Sequence, residues 1–321
     1  MSQRRVSVVI PVYNAGEDMA HLLAALRRQT LPRDQFEIVI ADDGSTDGAT
    51  DGIATDDGWI RVPAGPPSGS YAARDRAVAG SHAPILAFTD ADCRPDAGWL
   101  EAALARLEQA DIVAGLVRFR IPARPTLWSL LDVDTYLDQE RQVQVGLAVT
   151  ANLTLRRELF DAVGGFDVED SFAPGDLDFV ARCVATGARL VFAPEAAVEH
   201  PTRDERKAYL TKVWCMNRGY GEFETLQGRR PHGIRAAAWV PIISTFSARR
   251  RHRRTAVGLD RHRFAASGVR PRLRDDLRAL PMIYLVLPYM ASLAQLDGSL
   301  RRRAQLVLGR ARNATLRAPK A

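Results

Sequence analysis

Apolar positions along the first two hundred residues follow two alternating rhythms. Short unbroken runs, "VSVVIPVY" from Val6, "FEIVIA" from Phe36, "PILAFT" from Pro84 and "DIVAGLVRF" from Asp111, have the length and β-branched content of strands buried on both faces. Between them the spacing is helical: "GEDMAHLLAALRRQT" repeats Met19, Leu22, Leu23 and Leu26 on one face, and "GSYAARDRAVAGS" and "AGWLEAALARLEQA" read the same way. "WIRVPA" adds a further strand. Strands alternating with helices predict crossover units, hence an α/β fold with a mostly parallel central sheet. From 147 to 200 the pattern continues less regularly. A strand "GLAVTANLTL", a helix "RRELFDAVGG", an acidic stretch "FDVEDSFAPGDLDF", a helix "DFVARCVATG" and a strand "ARLVFAPEAAVEHP" follow one another.

Charge divides the chain in two. Through residue 200 there are 18 Lys+Arg against 30 Asp+Glu, and from 201 onward 26 against 8, which together give the overall +6. An acidic α/β front and a basic back imply two tasks. The expected organisation is residues 1–215 as the α/β domain and 216–321 as a basic, mainly helical C-terminal region. The 321 residues, 46% hydrophobic and 26% charged, suit a folded and mainly soluble protein. Cys93, Cys183 and Cys215 fall in no metal-ligand spacing and their odd number argues against a disulfide framework, so a reducing cytoplasm is expected. The apolar run near the N-terminus breaks at Pro11 and Asn14, too short and too polar for a signal peptide.

The chemistry concentrates where strands end. "ILAFTDADC" runs from a buried strand into Asp90 and Asp92, which alternate to the same face. Two carboxylates that close repel unless a cation lies between them. Beyond the strand ends of an open α/β sheet is also where ligands collect, so a divalent cation carrying a phosphorylated ligand is the economical reading. Asp42 and Asp43 end the second strand in "IADDGSTDG", either as hydrogen-bond acceptors for a ligand or as an Asp-Gly turn with a helix cap.

Taken in order, "VSVVIPVYN", "IADDGSTDG", "AARDRA", "FTDADC", "TANLTLRRELFDAVGGFD", "GDLDFVARC" and "VEHP" resemble the family 2 glycosyltransferases over roughly residues 5 to 201. The resemblance implies a GT-A fold, a nucleotide-sugar-binding α/β sandwich that uses a divalent metal and transfers the sugar with inversion. Carried over residue by residue, it implies that Pro11, Tyr13 and Asp43 line the base and ribose pocket with Asp42 supporting the turn, and that Arg74 faces the base or diphosphate. Asp75 stands where the family usually has Asn. Asp90 would meet ribose or a metal-bound water, Asp92 the metal, and His200 would complete the metal site with Mn²⁺ or Mg²⁺. Asn152, in "TANLTL", and Asp178 are implied substrate contacts, and Gly164 and Gly165 would let the backbone approach the donor sugar or cap a helix. Asp176 matches the catalytic base in a "PGDLD" stretch where Gly175 replaces a Glu. It can equally cap the helix that follows.

The implied reaction moves a sugar from a nucleoside diphosphate sugar, UDP-linked by family habit, to an unidentified acceptor hydroxyl, with a lipid-linked or cell-envelope glycan as the attractive class. A non-catalytic nucleotide-sugar-binding protein of the same fold is the alternative. A nucleotidyltransferase would want a Gly-rich loop after the first strand, where "IPVYNAGED" has one glycine. In the basic half, "LPMIYLVLPYMASLAQL" spans 17 residues with two prolines, short of the roughly 20 that cross a membrane, and "IRAAAWVPIISTFS" is shorter. Two readings stay open. These segments with "RRRHRR" and "RRR" attach the protein peripherally to an anionic membrane surface on the cytoplasmic side, or they are core helices with a solvated basic face. Nucleic acid is not expected as a partner, because the basic runs lack interleaved aromatics and any recognised binding motif.

Overall fold

The computed structural model describes residues 4–51, 53, 59–62, 65–167, 175–226 and 259–316. The expected segments "IRAAAWVPIISTFS" and "RRRHRR", and most of the acidic stretch before Gly175, lie outside the described residues.

The chain forms two compact units. The first, built from residues up to Ile121, Thr135–Ser171 and Gly175–Thr202, holds an eight-stranded sheet ordered β3-β2-β1-β4-β7-β6-β8-β5. In chain order the strands are β1 (Val6–Val12), β2 (Phe36–Asp42), β3 (Trp59–Val62), β4 (Ile85–Thr89), β5 (Arg94–Pro95), β6 (Ile112–Arg120), β7 (Asn152–Arg156) and β8 (Leu190–Pro201). The pairings β1–β2, β2–β3, β1–β4 and β6–β8 are parallel, as the alternating pattern predicts. β7 runs antiparallel to both β4 and β6, and β5 antiparallel to β8, so the sheet is mixed. α1 (Glu17–Arg27), α2 (Ser70–Ala79), α3 (Trp99–Leu107), α4 (Leu127–Thr135), α5 (Gln139–Val143), α6 (Arg157–Ala162) and α7 (Gly175–Ala185) connect them. β5, α4 and α5 have no clear periodic signature and were not expected.

All seven residues of β2 are buried. Two of them, Glu37 and the terminal Asp42, are acidic, and Glu37 lies within the strand. It accepts hydrogen bonds from Ser7 Oγ (2.7 Å), His82 N (2.6 Å) and Arg4 Nη1 (3.1 Å). Burial pushes the Glu37 carboxyl up, but these donors outweigh it and hold it below the usual range. The polar pin fixes the register Ser7 opposite Glu37 and ties the α2–β4 connection to it.

The core on the α2 and α7 side is aromatic. Phe166 packs tilted at 4.5 Å from Phe179 and meets Phe88 edge-on at 5.7 Å, and Phe160 contacts both Phe166 and Phe179. Phe166 directly follows Gly164 and Gly165, so this packing fixes the position of the glycine turn.

The second unit contains α8 (Arg206–Leu226), α9 (Arg261–Ala265), α10 (Leu273–Pro281), a π-helical turn Met282–Val286 and α11 (Leu287–Leu316), together with most of α4. α8 runs continuously through residues 215–216, the boundary expected from charge. α8 and α11 cross with backbones in contact. A Cβ on Gly221 would lie 2.0 Å from the Gln295 carbonyl oxygen, and one on Gly298 would lie 2.0 Å from that of Arg218. Among the described residues, no helix is long and apolar enough to cross a membrane.

Candidate active site

The loops after β1 and β2 are bound to each other. Asn14, with φ 48°, accepts from Thr46 N at 2.8 Å and donates its own N–H to Ser45 Oγ at 3.0 Å. Tyr13 projects beside them, 60% exposed, with Pro11 behind it in β1. Asp42 organises the turn, accepting from Gly44 N (3.1 Å), Ser45 N (2.8 Å) and Thr50 Oγ1 (2.6 Å). Asp43, expected to meet base and ribose, accepts from Ser68 N, Ser68 Oγ, Gly69 N (2.8 Å) and Arg76 Nη2 (2.9 Å). Burial pushes both carboxyls up, and these donors overcome it and hold both below the ordinary aspartate range. A carboxylate has about four acceptor positions. Those of Asp43 are filled by the entrance to α2, so its first task is to anchor that helix at its positive end.

β4 delivers Asp90 and Asp92 to the same edge. Asp90 is ion-paired to the Arg74 guanidinium, which rises from α2 and is almost fully buried. Asp92 Oδ1 is buried and, among the described residues, has no hydrogen-bond partner. His200 Nε2 lies 3.7 Å from it. The two meet because β5 pairs antiparallel with the end of β8, Arg94 opposite Glu199, folding the aspartate turn against His200. The other ring nitrogen of His200, Nδ1, is 2.6 Å from the Pro201 carbonyl. That carbonyl only accepts, which assigns a proton to Nδ1, and in the neutral ring Nε2 then carries the lone pair. Cys93 completes a cluster with Asp90 and Asp92 in which the ligand atoms lie within 4.8 Å of one another. Burial and then the charges of Asp92 and Asp90 push its thiol well up, so it stays protonated and faces the Ala151 carbonyl.

Asp176 opens α7 and is buried. Its Oδ1 accepts from Tyr71 Oη (3.2 Å) and Leu177 N (3.0 Å), and its Oδ2 from Thr150 N (3.3 Å). Burial raises its pKa, with the Arg74 charge and these hydrogen bonds opposing but not cancelling the rise. The carboxylate is thereby a stronger base than an exposed aspartate. Arg74 acts on both acid centres, by contact at Asp90 and by its field at Asp176.

Other expected contacts are occupied by the protein itself. Asn152 Oδ1 accepts from Trp99 Nε1 (2.8 Å), and its Nδ2 donates to the carbonyls of Leu116 (2.9 Å) and Ala196 (2.8 Å). It fills the irregularity where the β6–β8 register breaks between Gly115 and Leu116. Asp178 pairs with Arg182 at 2.8 Å, and Arg182 in turn donates to the carbonyls of Val163 and Gly165. Gly164 and Gly165 have φ of 77° and 69° and close α6, Gly165 N donating to the Phe160 carbonyl. Asp75 accepts from Phe166 N at 3.2 Å, so it too holds the glycine turn. Tyr71 and Arg182 are the residues that sequence reasoning left without a role, and Asp178, expected as a substrate contact, instead braces Arg182. The one sequence signal for Tyr71 is its position three residues before Arg74, on the same helical face.

Comparison with known proteins gives one family. The sequence profile described as glycosyl transferase family 2 matches residues 7–164. The chain is 33% identical over 206 residues to the glycosyltransferase AglE of Haloferax volcanii, covering 62% of this chain and 67% of that protein. It is 29% identical over 225 residues to the pre-mycofactocin glycosyltransferase of Mycobacterium tuberculosis, covering 66% of this chain but only 46% of that protein. Among solved structures, the mannosyltransferase PcManGT from Pyrobaculum calidifontis in complex with GDP-Man and Mn²⁺ superposes with a TM-score of 0.61 at 17% identity, covering 94% of this chain and 88% of that one. S. aureus TarS 1–349 in complex with UDP gives 0.52 at 16% identity, covering 95% and 92%. At these identities the structural matches speak for the fold, a GT-A arrangement.

Proposed function

The chain belongs to glycosyl transferase family 2, and from that premise we propose that it is an inverting, divalent-cation-dependent enzyme that moves a sugar from a nucleoside diphosphate, UDP by preference, to an acceptor hydroxyl. The observation that carries this reading is the pairing of two unlike acid centres on either side of Arg74. One is a cluster at Asp90 and Asp92 with an unpartnered buried oxygen, and the other is a single buried aspartate with a raised pKa.

The residues at the first centre suit a hard cation. Among the described residues Asp92 Oδ1 lacks a hydrogen-bond donor, Nε2 of His200 faces it, and the ligand atoms of Asp90, Asp92 and Cys93 lie within 4.8 Å of one another. Asp92, His200 and Asp90 would hold Mn²⁺ or Mg²⁺, the imidazole favouring Mn²⁺. Such an ion supplies positive charge that neutralises the diphosphate leaving group. That the neighbours were solved with GDP-Man and Mn²⁺, and with UDP, supports the class of ligand.

The chain's own groups account for the rest. The Arg74 guanidinium offers charge to the diphosphate and keeps Asp90 oriented. Tyr13, exposed at the rim, is available to stack on a base. Asp176 takes the proton from the acceptor hydroxyl as that oxygen bonds to C1 of the sugar and the C1–O bond to the diphosphate breaks, inverting the anomeric centre. The turn at Gly164 and Gly165, fixed by Asp75, Arg182 and the phenylalanine cluster, presents backbone rather than side chain toward the sugar.

For the acceptor, the second unit supports a surface of anionic lipid, and with it a lipid-linked alcohol. Leu273, Leu277, Leu285, Tyr289, Leu293, Leu296 and Leu300 are each between 39% and 73% exposed. Along α11 they recur at steps of four, three and four, so they share one helical face. Exposed apolar side chains in such a row mark an interaction surface. The arginine-rich sequence around them supplies the complementary charge for lipid headgroups.

The test is a panel of nucleotide sugars with Mn²⁺ against the wild-type chain and Asp176→Asn. Turnover by the wild type, reduced by about 10²–10⁴-fold in Asp176→Asn with donor affinity kept, supports the enzyme. Nucleotide-sugar binding without turnover under every acceptor overturns it in favour of a non-catalytic binding protein.

A further inference from the structure

We propose that Tyr71 is the positioning residue of Asp176, and that glycine at 175 is the packing condition that lets it act. The proposal rests on Asp176 being the base that deprotonates the acceptor, and adds the element that holds and tunes it.

Four contacts converge on the Tyr71 side chain. Its hydroxyl donates to Asp176 Oδ1 at 3.2 Å, and among the described residues it is the one side-chain donor on that carboxylate, the others being the N–H groups of Thr150 and Leu177. Its ring lies flat against the backbone just before the base. A Cβ on Gly175 would sit 2.8 Å from Tyr71 Cε2 and 2.9 Å from Cδ2, both closer than real Cβ contacts come, and 3.2 Å from Cζ, so any side chain at 175 displaces the ring. The ring is also 5.4 Å from that of Phe166, which follows the glycine turn, and 5.6 Å from the Arg74 guanidinium. One residue therefore touches the base, the arginine that also holds Asp90, and the sugar-side turn.

The chemistry follows from those contacts. Burial and the charge of Asp176 push the Tyr71 hydroxyl up, so it keeps its own proton and remains a donor throughout the working pH range. The proton of the acceptor goes to Asp176, and Tyr71 neither gains nor loses one. By donating to the charged carboxylate the hydroxyl fixes its orientation and favours the ionised form, which is the form competent to accept a proton. Among the described residues the charged and titratable groups facing Asp176 are Arg74 and Tyr71, both on α2, so removing the hydroxyl leaves Arg74 and the N–H groups of Thr150 and Leu177 as the counterweights to burial. The ring also takes the space next to the base that a larger residue at 175 would claim. This accounts for why a chain whose motif otherwise resembles the family pattern tolerates glycine there.

Tyr71→Phe keeps the ring and removes only the hydroxyl. In the metal-free chain, carboxyl ¹³C NMR is expected to show the Asp176 titration displaced to higher pH in Tyr71→Phe. In the UDP-sugar hydrolysis assay with Mn²⁺, the acid limb of the kcat profile is expected to move the same way, with kcat down about tenfold and the donor KM changed by less than about twofold, the size expected for one hydrogen bond to a charged group. Gly175→Ala is expected to lower kcat in the wild-type background and to have no further effect in Tyr71→Ala, because the ring it displaces is already gone. An unchanged titration and acid limb in Tyr71→Phe overturns the proposal, as does an additive Gly175→Ala effect. Full activity in Asp176→Asn overturns the assignment of the base instead, so the two failures are distinguishable.

Discussion

His200 Nε2 stands 3.7 Å from Asp92 Oδ1, a buried carboxylate oxygen that has no hydrogen-bond partner among the described residues. Two acceptors facing each other this closely are stable when a cation or a proton lies between them. Titration of the protein with Mn²⁺, followed by the loss of the free-ion electron paramagnetic resonance signal, is expected to weaken at least about tenfold in His200→Ala, equivalent to about 1.4 kcal/mol, and more in Asp92→Ala. Unchanged Mn²⁺ affinity in both variants would remove the metal from this edge of the sheet.

Asn152 is expected to matter for stability before it matters for substrate. Asn152→Ala leaves the Trp99 indole N–H and the carbonyls of Leu116 and Ala196 buried without partners. The cost is about 3 kcal/mol, read as a lower urea midpoint. A wild-type midpoint combined with a raised donor KM would contradict the structural role and restore a substrate contact.

Asp75 gives the fold a pH-dependent element. Burial pushes its carboxyl up to about 6, against the Phe166 N–H and the Arg182 charge. Its native pKa lies above the unfolded value of about 4, so the folded chain binds this proton more tightly and the contribution to stability falls as pH rises through about 6. Asp75→Asn keeps an acceptor for Phe166 N and cannot ionise. The variant is expected to unfold at higher denaturant than wild type at pH 7.5, with the advantage shrinking toward pH 5. An offset equal at both pH values would rule out this titration as the cause.

The exposed row on α10 and α11 is expected to govern lipid attachment. Wild-type protein should co-float with vesicles containing anionic lipid, less so with neutral vesicles or at high salt. Leu277→Glu with Leu293→Glu, both at exposed positions, should abolish flotation while leaving the melting temperature close to wild type. Wild-type protein that stays at the bottom of the gradient, or that instead dimerises through this face, would replace the lipid surface with another occupant.

Much of the fold was legible because its determinants are local. Alternation of buried runs and helical stripes locates β1, β2, β4, β6 and the helices between them, and the run from a buried strand into Asp90 and Asp92 locates the sheet edge where these carboxylates gather. The direction of β7 was not legible, since a five-residue apolar strand reads the same in either orientation and only its neighbours β4 and β6 decide it. The two-residue β5 carries no periodicity at all, yet its pairing with β8 is what brings Asp92 to His200.

The sequence by itself determined which side chains reach the open edge of the sheet, because strand ends and turn residues are set by spacing within a few positions. Tertiary structure alone decided how each is used: Asp43 anchors α2, Asn152 fills a break in the β6–β8 register, and Tyr71 rests on Gly175 against the buried Asp176. The reason is physical. A polar side chain's role depends on which donors and acceptors remain unfilled around it, and those are supplied by segments distant in sequence that meet only when the sheet closes.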